Sequence, residues 1–405
     1  MKVGLVAQAG RNWVGGAQYV ANLSRALRAV GARVVLVGTA ATDLDLYEEL
    51  GTEADERRLG RALPRPIRAV RRGIFEAAHV DLELLSLLAS ARVDVAYPFF
   101  AGRLGRLAPF RHAAWIADLQ HKHMPELFSR DELGRRDRLF ARVARMAPGI
   151  VLSSRSAERD LTRHFPSSLG RTHVLRFRSP APEAAFAEDP ETVRIRYRLP
   201  DRFFLVSNQF WKHKNHEVVF AALERLSSTG SVPTVACTGL VADYRDPTVR
   251  ERIDRRLENA GLSRFVRLLG QIPRADQLAL MRRCDAVIQP SLFEGWSTVI
   301  EDARGLGTPV IASNIEVHRE QTTDLAAASL FEPDSPDALA RQLRTHPGFD
   351  ADRLRRRSDT STTLAHFGRD FASIVHALPA PRLSRSRALS VETPAPVVSR
   401  ATERK

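Results

Sequence analysis

Short apolar runs alternate with amphipathic segments along most of the chain. Residues 2–8 form an apolar run, residues 9–16 are rich in glycine and polar residues, residues 17–30 carry apolar side chains at helical spacing, and residues 33–38 form a second apolar run. A strand, a glycine-containing loop, a helix and a strand in this order predict the opening unit of a parallel, helix-covered sheet. Further buried strands are predicted at residues 93–97, 113–116 and 149–153.

The same alternation returns in the second half of the chain, after a segment that predicts an interdomain linker because it contains Pro180, Pro182 and Pro190. Strands are predicted at residues 203–207, 234–238, 266–268, 286–289 and 310–312, and helices at 215–226, 247–260, 275–283, 298–306, 336–343 and 363–377. The pattern therefore predicts two doubly wound α/β halves that face each other across a cleft. Open parallel sheets bind ligands outside the carboxyl ends of their strands, so we expect the functional site in the cleft.

Four segments follow from this organisation. We predict an N-terminal domain at residues 1–185, a C-terminal domain at 186–362, a last helix at 363–378 and a disordered basic tail at 379–405, where Pro, Ser, Ala and Arg dominate. The arginine-rich stretch near residues 56–75 is interrupted by prolines, so no single helix is predicted there.

Composition narrows the class of protein. Of the 405 residues, 44% are hydrophobic and 27% charged, which fits a globular protein of about two domains and excludes a fibrous or wholly disordered chain. No apolar run approaches the ~20 residues of a membrane-spanning helix, and the first residues predict a strand rather than a signal peptide, so we expect a cytoplasmic protein. Cys237 and Cys284 each adjoin an apolar run, which predicts two buried thiols and no disulfide or cysteine zinc site.

The net charge of +14 fits an anionic partner, such as nucleic acid, a phosphorylated small molecule or an acidic membrane face. A solvated, arginine-rich surface accounts for the same charge. No aromatic-interleaved basic face or helix-turn-helix pattern is present, so nucleic-acid binding is disfavoured.

The strongest chemical signal is the polar turn between the fourth strand of the second half and the helix that follows. Ser297 or Thr298 can cap this helix, whose free N–H groups form an anion site suited to a diphosphate. Gly295 allows close approach of the backbone to a ligand. Of the two carboxylates, Glu294 lies in the turn and Glu301 one turn into the helix, so one can bind a sugar and the other a ribose diol. A helix cap beside a surface glutamate is the alternative interpretation.

Two further strand ends carry polar side chains. After the strand at 203–207 come two lysines and two histidines, and a lysine here can neutralise a phosphate; a solvated basic loop is the alternative, and no carboxylate or cysteine completes a metal site. After the strand at 113–116, His121 can position a reacting hydroxyl and Asp118 can orient the histidine, or the histidine can simply be hydrogen-bonded in a loop. The Gly15-Gly16 pair lacks the G-x-G-x-x-G spacing, which disfavours a dehydrogenase.

Taken together, these segments resemble the GT-B glycosyltransferases of the family 4 type, also called glycosyltransferase group 1, over residues 1–377. The resemblance is carried by four motifs in order, at residues 13–16, 115–121, 208–216 and 293–301, the last with its continuation at 307–313. It implies an α/β GT-B fold with two Rossmann-like domains facing across a cleft and a C-terminal helix that crosses back to the N-terminal domain.

The resemblance also implies roles for single residues. Glu294 and Glu301 resemble the two glutamates of an E-x7-E motif that bind the donor sugar and the ribose, with six residues between them here instead of seven. Lys214 matches the phosphate-binding lysine, whereas Gln209 stands where an arginine is expected. His121 resembles the active-site histidine of the N-terminal domain. The implied catalytic set is His121, Glu294 and Lys214, and the implied donor-binding set is Gly15, Gly16, Gln209, Lys214, Ile272, Gly295, Trp296, Ser297, Thr298 and Glu301.

The implied activity is transfer of a hexosyl unit from a nucleotide sugar to a sugar or lipid-linked acceptor, with retention of anomeric configuration, in polysaccharide or glycolipid synthesis. Ile272 would lie against the base and Gly16 near the donor phosphate. No metal or cofactor is expected, because the Asp-x-Asp triplets at 43–45 and 350–352 lie away from the predicted cleft. An epimerase-type or non-catalytic GT-B relative is the alternative.

A membrane contact is a further possibility. Apolar residues interleave with arginines near the third predicted strand, so this surface can dock on an anionic membrane where a lipid-linked acceptor resides, or it can be a solvated basic face. The arginines are Arg57, Arg58, Arg61, Arg65, Arg68, Arg71 and Arg72, and the apolar residues are Leu63, Ile67, Val70, Ile74 and Phe75.

Overall fold

The computed structural model describes most of the chain. The described residues are 1–7, 14–40, 42–61, 65–78, 81–228, 230–243, 246–355 and 360–381. Trp13 of the first motif, Leu63 of the arginine-rich stretch and residues 382–405 of the predicted tail lie outside them.

The N-terminal half contains two parallel sheets. The first has the strand order β3-β2-β1-β4-β5, with β1 (Lys2–Val6), β2 (Arg33–Gly38), β3 (Glu56–Leu59), β4 (Val95–Tyr97) and β5 (Arg111–His112). The second has the order β6-β7-β8, with β6 (Ala114–Ile116), β7 (Ile150–Leu152) and β8 (Thr172–Val174). The chain passes from β5 to β6 through Ala113, whose carbonyl oxygen accepts a hydrogen bond from the N–H of Phe99 at 2.8 Å, so the two sheets adjoin.

The helices of this half cover the sheets. They are α1 (Val14–Ala29), α2 (Leu44–Gly51), α3 (Arg65–Ala78), α4 (Leu82–Ser90), α5 (Gln120–His123), α6 (Arg130–Met146) and α7 (Arg155–His164). The arginine-rich stretch forms no single helix, as predicted, because its first part is the edge strand β3 and only its last part belongs to the helix α3. Pro66 is compatible with α3 because it lies in the first turn, where a backbone N–H has no helical partner.

The C-terminal half is a single parallel sheet between helices, as predicted. Its strand order is β11-β10-β9-β12-β13-β14, with β9 (Phe203–Ser207), β10 (Thr234–Thr238), β11 (Val266–Gly270), β12 (Val287–Gln289), β13 (Val310–Ser313) and β14 (Ala328–Phe331). Its helices are α8 (Pro190–Arg196), α9 (His216–Ser227), α10 (Val249–Asn259), α11 (Arg274–Arg283), α12 (Thr298–Leu306), α13 (Glu316–Thr322) and α14 (Pro336–Thr345). Cys237 and Cys284 are both buried and are not joined in a disulfide.

The last helix, α15 (Thr360–Ala377), crosses back to the N-terminal half, which confirms the prediction. Phe367 and Phe371 are each 1% exposed and pack in the same core as Leu23 of α1. A Cβ atom on Gly368 would lie 2.3 Å from the carbonyl oxygen of Ala26, so the backbones of α1 and α15 meet without room for a side chain.

A second connection between the halves lies at the start of α7. The carboxylate of Glu320, on α13 of the C-terminal half, accepts hydrogen bonds from the backbone N–H groups of Arg155 at 3.0 Å and Ser156 at 3.3 Å. The Nε of Arg176 donates to Glu320 at 2.9 Å, and Ser156 Oγ donates to Glu316 at 3.1 Å. A carboxylate from one half thus satisfies free donors at a helix N-terminus of the other.

The surface of α3 is unusually apolar for an exposed helix. Ile67 is 47% exposed, Val70 63% and Phe75 53%, and the helix contains four arginines in its sequence. Among the described residues, no helix combines the length and apolar character needed to cross a membrane.

Candidate active site

A cavity of about 540 Å³ lies between the two halves, at the carboxyl ends of strands from both. Its lining includes residues that follow β6 and β7 on one side and β9, β10, β11 and β12 on the other. The N-terminal half contributes Gly15, Gln18, Tyr19, Trp115, Ala117, Asp118, Gln120, Ser153 and Phe177. The site therefore lies in the interdomain cleft, where the strand pattern predicted it.

Two predicted residues form an ion pair in the wall of the cavity. Lys214 Nζ lies 2.5 Å from Glu294 Oε1, although 80 positions separate the two residues in the sequence. The same oxygen accepts hydrogen bonds from Gln289 Nε2 at 2.9 Å and Ser291 Oγ at 2.7 Å. Burial opposes ionisation of Glu294, but the positive charge of Lys214 prevails and lowers the pKa of the carboxyl to about 2. Glu294 is thus an ionised acceptor in the cavity wall.

The loop that carries Lys214 is held in place by the next residue. Asn215 adopts a left-handed conformation, with φ of 55°, which an asparagine tolerates better than most residues. Its side-chain amide donates to the carbonyl oxygens of Pro290 at 3.1 Å and Pro333 at 2.9 Å. The first bond ties the loop after β9 to the end of β12, and the second ties it to the end of β14, so the backbone brings the lysine and the glutamate together.

The turn after β12 approaches the N-terminal half closely. Ser297 caps α12 by accepting a hydrogen bond from the N–H of Ile300 at 3.3 Å. Thr298, the first residue of α12, and Trp296 line the cavity, and Trp296 Nε1 donates to the carbonyl oxygen of Phe177 at 3.0 Å. The N-terminus of α12 therefore presents its free N–H groups to the cavity, which favours binding of an anion.

The structure assigns the second predicted carboxylate to a different environment. Glu301 is 1% exposed and does not belong to the cavity lining. It accepts hydrogen bonds from Gln321 Nε2 at 2.9 Å and Arg178 at 3.4 Å. Burial raises the pKa of Glu301, against the opposing charges of Arg304 and Arg178. These contacts join α12 to α13 and to the interdomain linker.

The neighbouring carboxylate, Asp302, lines the cavity instead. Its Oδ1 accepts hydrogen bonds from Arg274 at 2.6 Å and from Ser179 Oγ at 2.7 Å. Asp302 also has the motif spacing that Glu301 lacks, because seven residues separate it from Glu294. Accepting aspartate at the second position of E-x7-E would have identified it from the sequence.

The remaining predicted donor residues of the C-terminal half lie in the same cavity. Gln209 and Ile272 both line it. The Oε1 of Gln209 accepts a hydrogen bond from the N–H of Leu240 at 2.9 Å, which fixes the side-chain amide. The predicted residues that line the cavity are Gly15, Gln209, Lys214, Ile272, Glu294, Gly295, Trp296, Ser297 and Thr298.

The predicted residues of the N-terminal half are only partly in the cavity. Gly15 lines it, whereas Gly16 and His121 do not. His121 is 2% exposed, and its Nε2 lies 3.0 Å from Asp137 Oδ1. Burial lowers the pKa of His121, and the Asp137 carboxylate opposes this effect. The histidine thus packs behind the loop that follows β6.

Asp118, three residues before His121, lines the cavity. From the sequence, Asp118 was predicted only to orient His121. Its Oδ1 accepts a hydrogen bond from the N–H of Gln120 at 2.9 Å. Burial raises the pKa of Asp118, and the nearby charge of Glu294 raises it further. The ring of Tyr19 stacks on Trp115, with centroids 4.3 Å apart, beside this carboxyl group. Aromatic faces and a carboxyl group form a surface suited to sugar hydroxyls and ring carbons.

Comparison with known proteins finds a family match within the C-terminal half. Residues 191–346 match the family model described as glycosyl transferases group 1. The segment that matches contains β9 to β14, and with them Lys214, Glu294 and Asp302.

Curated relatives and a solved structure agree with this match. The glycogen synthase of Mycobacterium tuberculosis (strain CDC 1551 / Oshkosh) is 28% identical over 219 residues, covering 50% of this chain and 49% of the relative. The D-inositol 3-phosphate glycosyltransferase of Xylanimonas cellulosilytica is 26% identical over 238 residues, covering 57% and 56%. The chain thus spans about half the length of the curated relatives it matches. HepE of Anabaena, solved in complex with UDP and glucose, superposes with a TM-score of 0.67 at 17% identity, over 93% of this chain and 100% of HepE, which shows the GT-B fold.

Proposed function

We propose, from the match of residues 191–346 to the glycosyl transferases group 1 and from the GT-B fold, that the protein transfers a glycosyl unit from a nucleotide sugar to an acceptor hydroxyl group. The observation that carries the proposal is the half-buried Lys214–Glu294 pair in the lining of the cavity between the halves, which also includes the N-terminus of α12. A lysine and a helix N-terminus attract a diphosphate, and an ionised carboxylate accepts hydrogen bonds from sugar hydroxyls. The complex of HepE with UDP and glucose supports a donor of this class.

The donor would bind mainly to the C-terminal half. The N-terminus of α12 and Lys214 would hold the diphosphate, Ile272 would lie against the base, and Glu294 would accept hydrogen bonds from the sugar. We assign the ribose to Asp302 in place of Glu301, because Asp302 lines the cavity and Glu301 does not. Glu301 would then act indirectly, by holding α12 against Gln321.

In the transfer step, the bond between the anomeric carbon and the diphosphate oxygen breaks, and the acceptor oxygen bonds to the same face of the carbon, so configuration is retained. The acceptor proton passes to the departing diphosphate oxygen. Lys214 and the α12 N–H groups are fixed in place before the reaction, so they can stabilise the charge that develops on the leaving group without reorganising. The proposal therefore assigns this task to the protein and requires no metal ion.

The acceptor would bind against the N-terminal half. Tyr19, Trp115 and Asp118 form one face of the cavity, and this face suits a sugar better than a purely apolar molecule. A sugar or lipid-linked sugar acceptor fits synthesis of a polysaccharide or glycolipid. His121 would support the loop that carries Asp118, through its contact with Asp137.

A lipid-linked acceptor would bring the enzyme to a membrane surface, and α3 is the surface that fits. Its exposed Ile67 and Val70 would enter the interface, while the arginines of the helix attract anionic headgroups. Vesicles containing phosphatidylglycerol should retain the protein at low salt, and vesicles of phosphatidylcholine alone should not. Val70→Glu should weaken retention without changing nucleotide binding; equal retention by both proteins would contradict this docking surface.

The first test of the function is a thermal-shift panel of UDP, GDP, ADP, CDP and TDP, with magnesium or with EDTA. A nucleotide at ~100 times its dissociation constant stabilises a protein by roughly 2.7 kcal/mol, which is an easily measured shift. One nucleotide should stabilise the protein equally with magnesium and with EDTA. No shift with any of them would contradict the transferase and favour a non-catalytic GT-B relative.

Two matched variants locate the ribose site. Asp302→Asn should weaken binding of the nucleotide by about tenfold or more, because it removes a charged acceptor from the cavity. Glu301→Gln, one position away in the sequence, should change the affinity by less than about threefold, since its contacts lie outside the cavity. The reverse order of effects would restore Glu301 as the ribose ligand. With the full donor, release of nucleoside diphosphate only in the presence of acceptor separates a transferase from an epimerase.

A further inference from the structure

The donor cavity contains a cationic group that the family motif does not account for. Among the described residues that line the cavity, the side chains with a permanent positive charge are Lys214 and Arg274. Lys214 follows β9 and is paired with Glu294. Arg274 comes from a different part of the chain, as the first residue of α11.

The position expected to carry a phosphate-binding arginine is occupied by Gln209. An amide has no net charge, and the Gln209 oxygen is already bonded to the N–H of Leu240 at 2.9 Å. Lys212, the other lysine of this loop, is exposed and does not line the cavity. A diphosphate bound beside Lys214 therefore has no second cation from the loop after β9.

Two hydrogen bonds hold the guanidinium group of Arg274, which lines the same cavity as Lys214. One terminal nitrogen donates to Asp302 Oδ1 at 2.6 Å, and the other donates to Gln277 Oε1 at 2.8 Å. Asp302 is in turn fixed by Ser179 Oγ at 2.7 Å. A guanidinium group has five N–H donors in a rigid fork, so these two bonds orient the group and leave further donors for a ligand.

The group is also close to the anion site of α12. Thr298 begins α12, and Asp302 lies four residues later, so both are on one face of the helix at about 6 Å. Arg274 is bonded to Asp302 at 2.6 Å and both residues line the cavity, so the charge of the arginine lies in the same cavity as the N-terminus of α12. A phosphate at this helix N-terminus is within reach of the arginine.

We propose that Arg274 is a donor-binding residue that supplies the second cation for the diphosphate, in place of the arginine missing at position 209. This inference rests on the proposed function and assigns a contact within the same site. The two cations that bind the diphosphate would then come from the loops after β9 and β11, rather than both from the loop after β9.

The test compares how three ligands bind to a set of variants: the nucleoside diphosphate selected by the panel, the corresponding monophosphate and the nucleoside. Arg274→Gln should weaken the diphosphate by about tenfold or more, which corresponds to about 1.4 kcal/mol, and the nucleoside by less than about threefold. Lys212→Gln is the matched control, since it removes a positive charge from an exposed position nearby. It should leave all three affinities within about twofold of wild type.

Two double variants distinguish a direct contact between Arg274 and the diphosphate from an indirect effect of Arg274 through Asp302. Arg274→Gln leaves Asp302 without its cation. The double variant Arg274→Gln with Asp302→Asn is therefore compared with the single variant Asp302→Asn. The affinity for the diphosphate should still be about tenfold lower in the protein that lacks the arginine. Gln209→Arg in the Arg274→Gln protein should restore part of the diphosphate affinity, because it returns a guanidinium group to the expected position.

The outcomes distinguish this inference from the function on which it rests. Equal losses for diphosphate and nucleoside would show that Arg274 only positions Asp302, and this would overturn the inference. Unchanged diphosphate affinity in Arg274→Gln would overturn it as well. If the wild-type protein binds none of the five nucleotides, the proposed function itself fails.

Discussion

The two halves approach each other closely at Gly295, and substitution of this glycine should separate nucleotide binding from catalysis. A Cβ atom at this position would lie 2.2 Å from the carbonyl oxygen of Ala117 and 3.0 Å from Cβ of Asp118. The atom nearest to the new methyl group is a backbone carbonyl oxygen, which cannot move aside as the end of a flexible side chain could. Gly295→Ala therefore requires the turn or the whole N-terminal half to shift.

The size of the shift follows from these distances. Ordinary contact begins at 3.4 Å, so the Ala117 oxygen and the new methyl group must separate by at least about 1.2 Å. A misplacement of ~1 Å at reacting groups can cost about 100-fold in rate. We expect kcat of Gly295→Ala to fall by about this factor. The new methyl group points at the N-terminal half, so we expect the nucleotide, which binds mainly to the C-terminal half, to keep its affinity within about threefold.

The assay measures acceptor-dependent release of nucleoside diphosphate, and calorimetry measures nucleotide affinity on the same protein. Small-angle X-ray scattering of the nucleotide-bound protein reports whether the halves stand further apart. A kcat within about threefold of wild type would refute the reasoning, because the arrangement with Gly295 against Ala117 would then not be the one that reacts. Gly295→Ser, with one more heavy atom, should be slower than Gly295→Ala.

Three further predictions concern the stability of the fold and the connection between its two halves. Gly368→Ala should destabilise the protein by about 1–3 kcal/mol because its methyl group would overlap Ala26, whereas Gly73→Ala, in α3 with nothing within 4 Å of the new atom, should stabilise it by up to about 1 kcal/mol; urea unfolding followed by circular dichroism measures both. The pKa of Glu294 is lowered from 4.5 to about 2, so its ionised form stabilises the folded state fully above about pH 4.5 and this stabilisation is lost as the pH falls toward 2; the difference in unfolding free energy between wild type and Glu294→Gln should therefore shrink with decreasing pH, and a constant difference would contradict the assignment. Glu320→Ala removes the acceptor shared by two helix N–H groups and an arginine, so it should increase the radius of gyration of the nucleotide-free protein in X-ray scattering. An unchanged radius would show that the remaining contacts between the halves, those of α15 among them, hold the halves together without Glu320.

Most of the strands that the sequence predicted are buried on both faces. The runs that became β1, β2 and β9 are nearly continuous apolar segments, which is the pattern of a parallel strand covered by helices. By contrast, β3 has the sequence Glu-Arg-Arg-Leu and is largely exposed at the edge of its sheet, so its pairing with β2 leaves no apolar signal. The strand β3 forms because it pairs with β2, and a local sequence pattern gives no information about that pairing.

The candidate site was predicted to the extent that backbone elements fix it. Lys214 and Glu294 were identified because each follows a predicted strand, and the carboxyl ends of parallel strands meet at one edge. Glu301 and Asp302 could not be distinguished in this way, since adjacent helical residues point about 100° apart and only tertiary packing decides which faces the cavity. Here Gln321, from α13, takes Glu301 out of the lining. A fixed spacing within the motif would have been a better guide than the identity of the acid.

Binding of the proposed donor would rearrange the two ion pairs of the cavity. Lys214 is bonded to Glu294, and Arg274 to Asp302, so each of these two cations in the cavity lining is held by a carboxylate. A diphosphate bound by both cations competes with both carboxylates. The lone pairs that it releases are then available to the hydroxyl groups of the sugar and the ribose, which belong to the same donor molecule. A free diphosphate lacks those hydroxyl groups and leaves the carboxylates without new partners, so the site should bind a nucleotide sugar in preference to pyrophosphate. This preference should become smaller when Glu294 and Asp302 are both replaced by their amides.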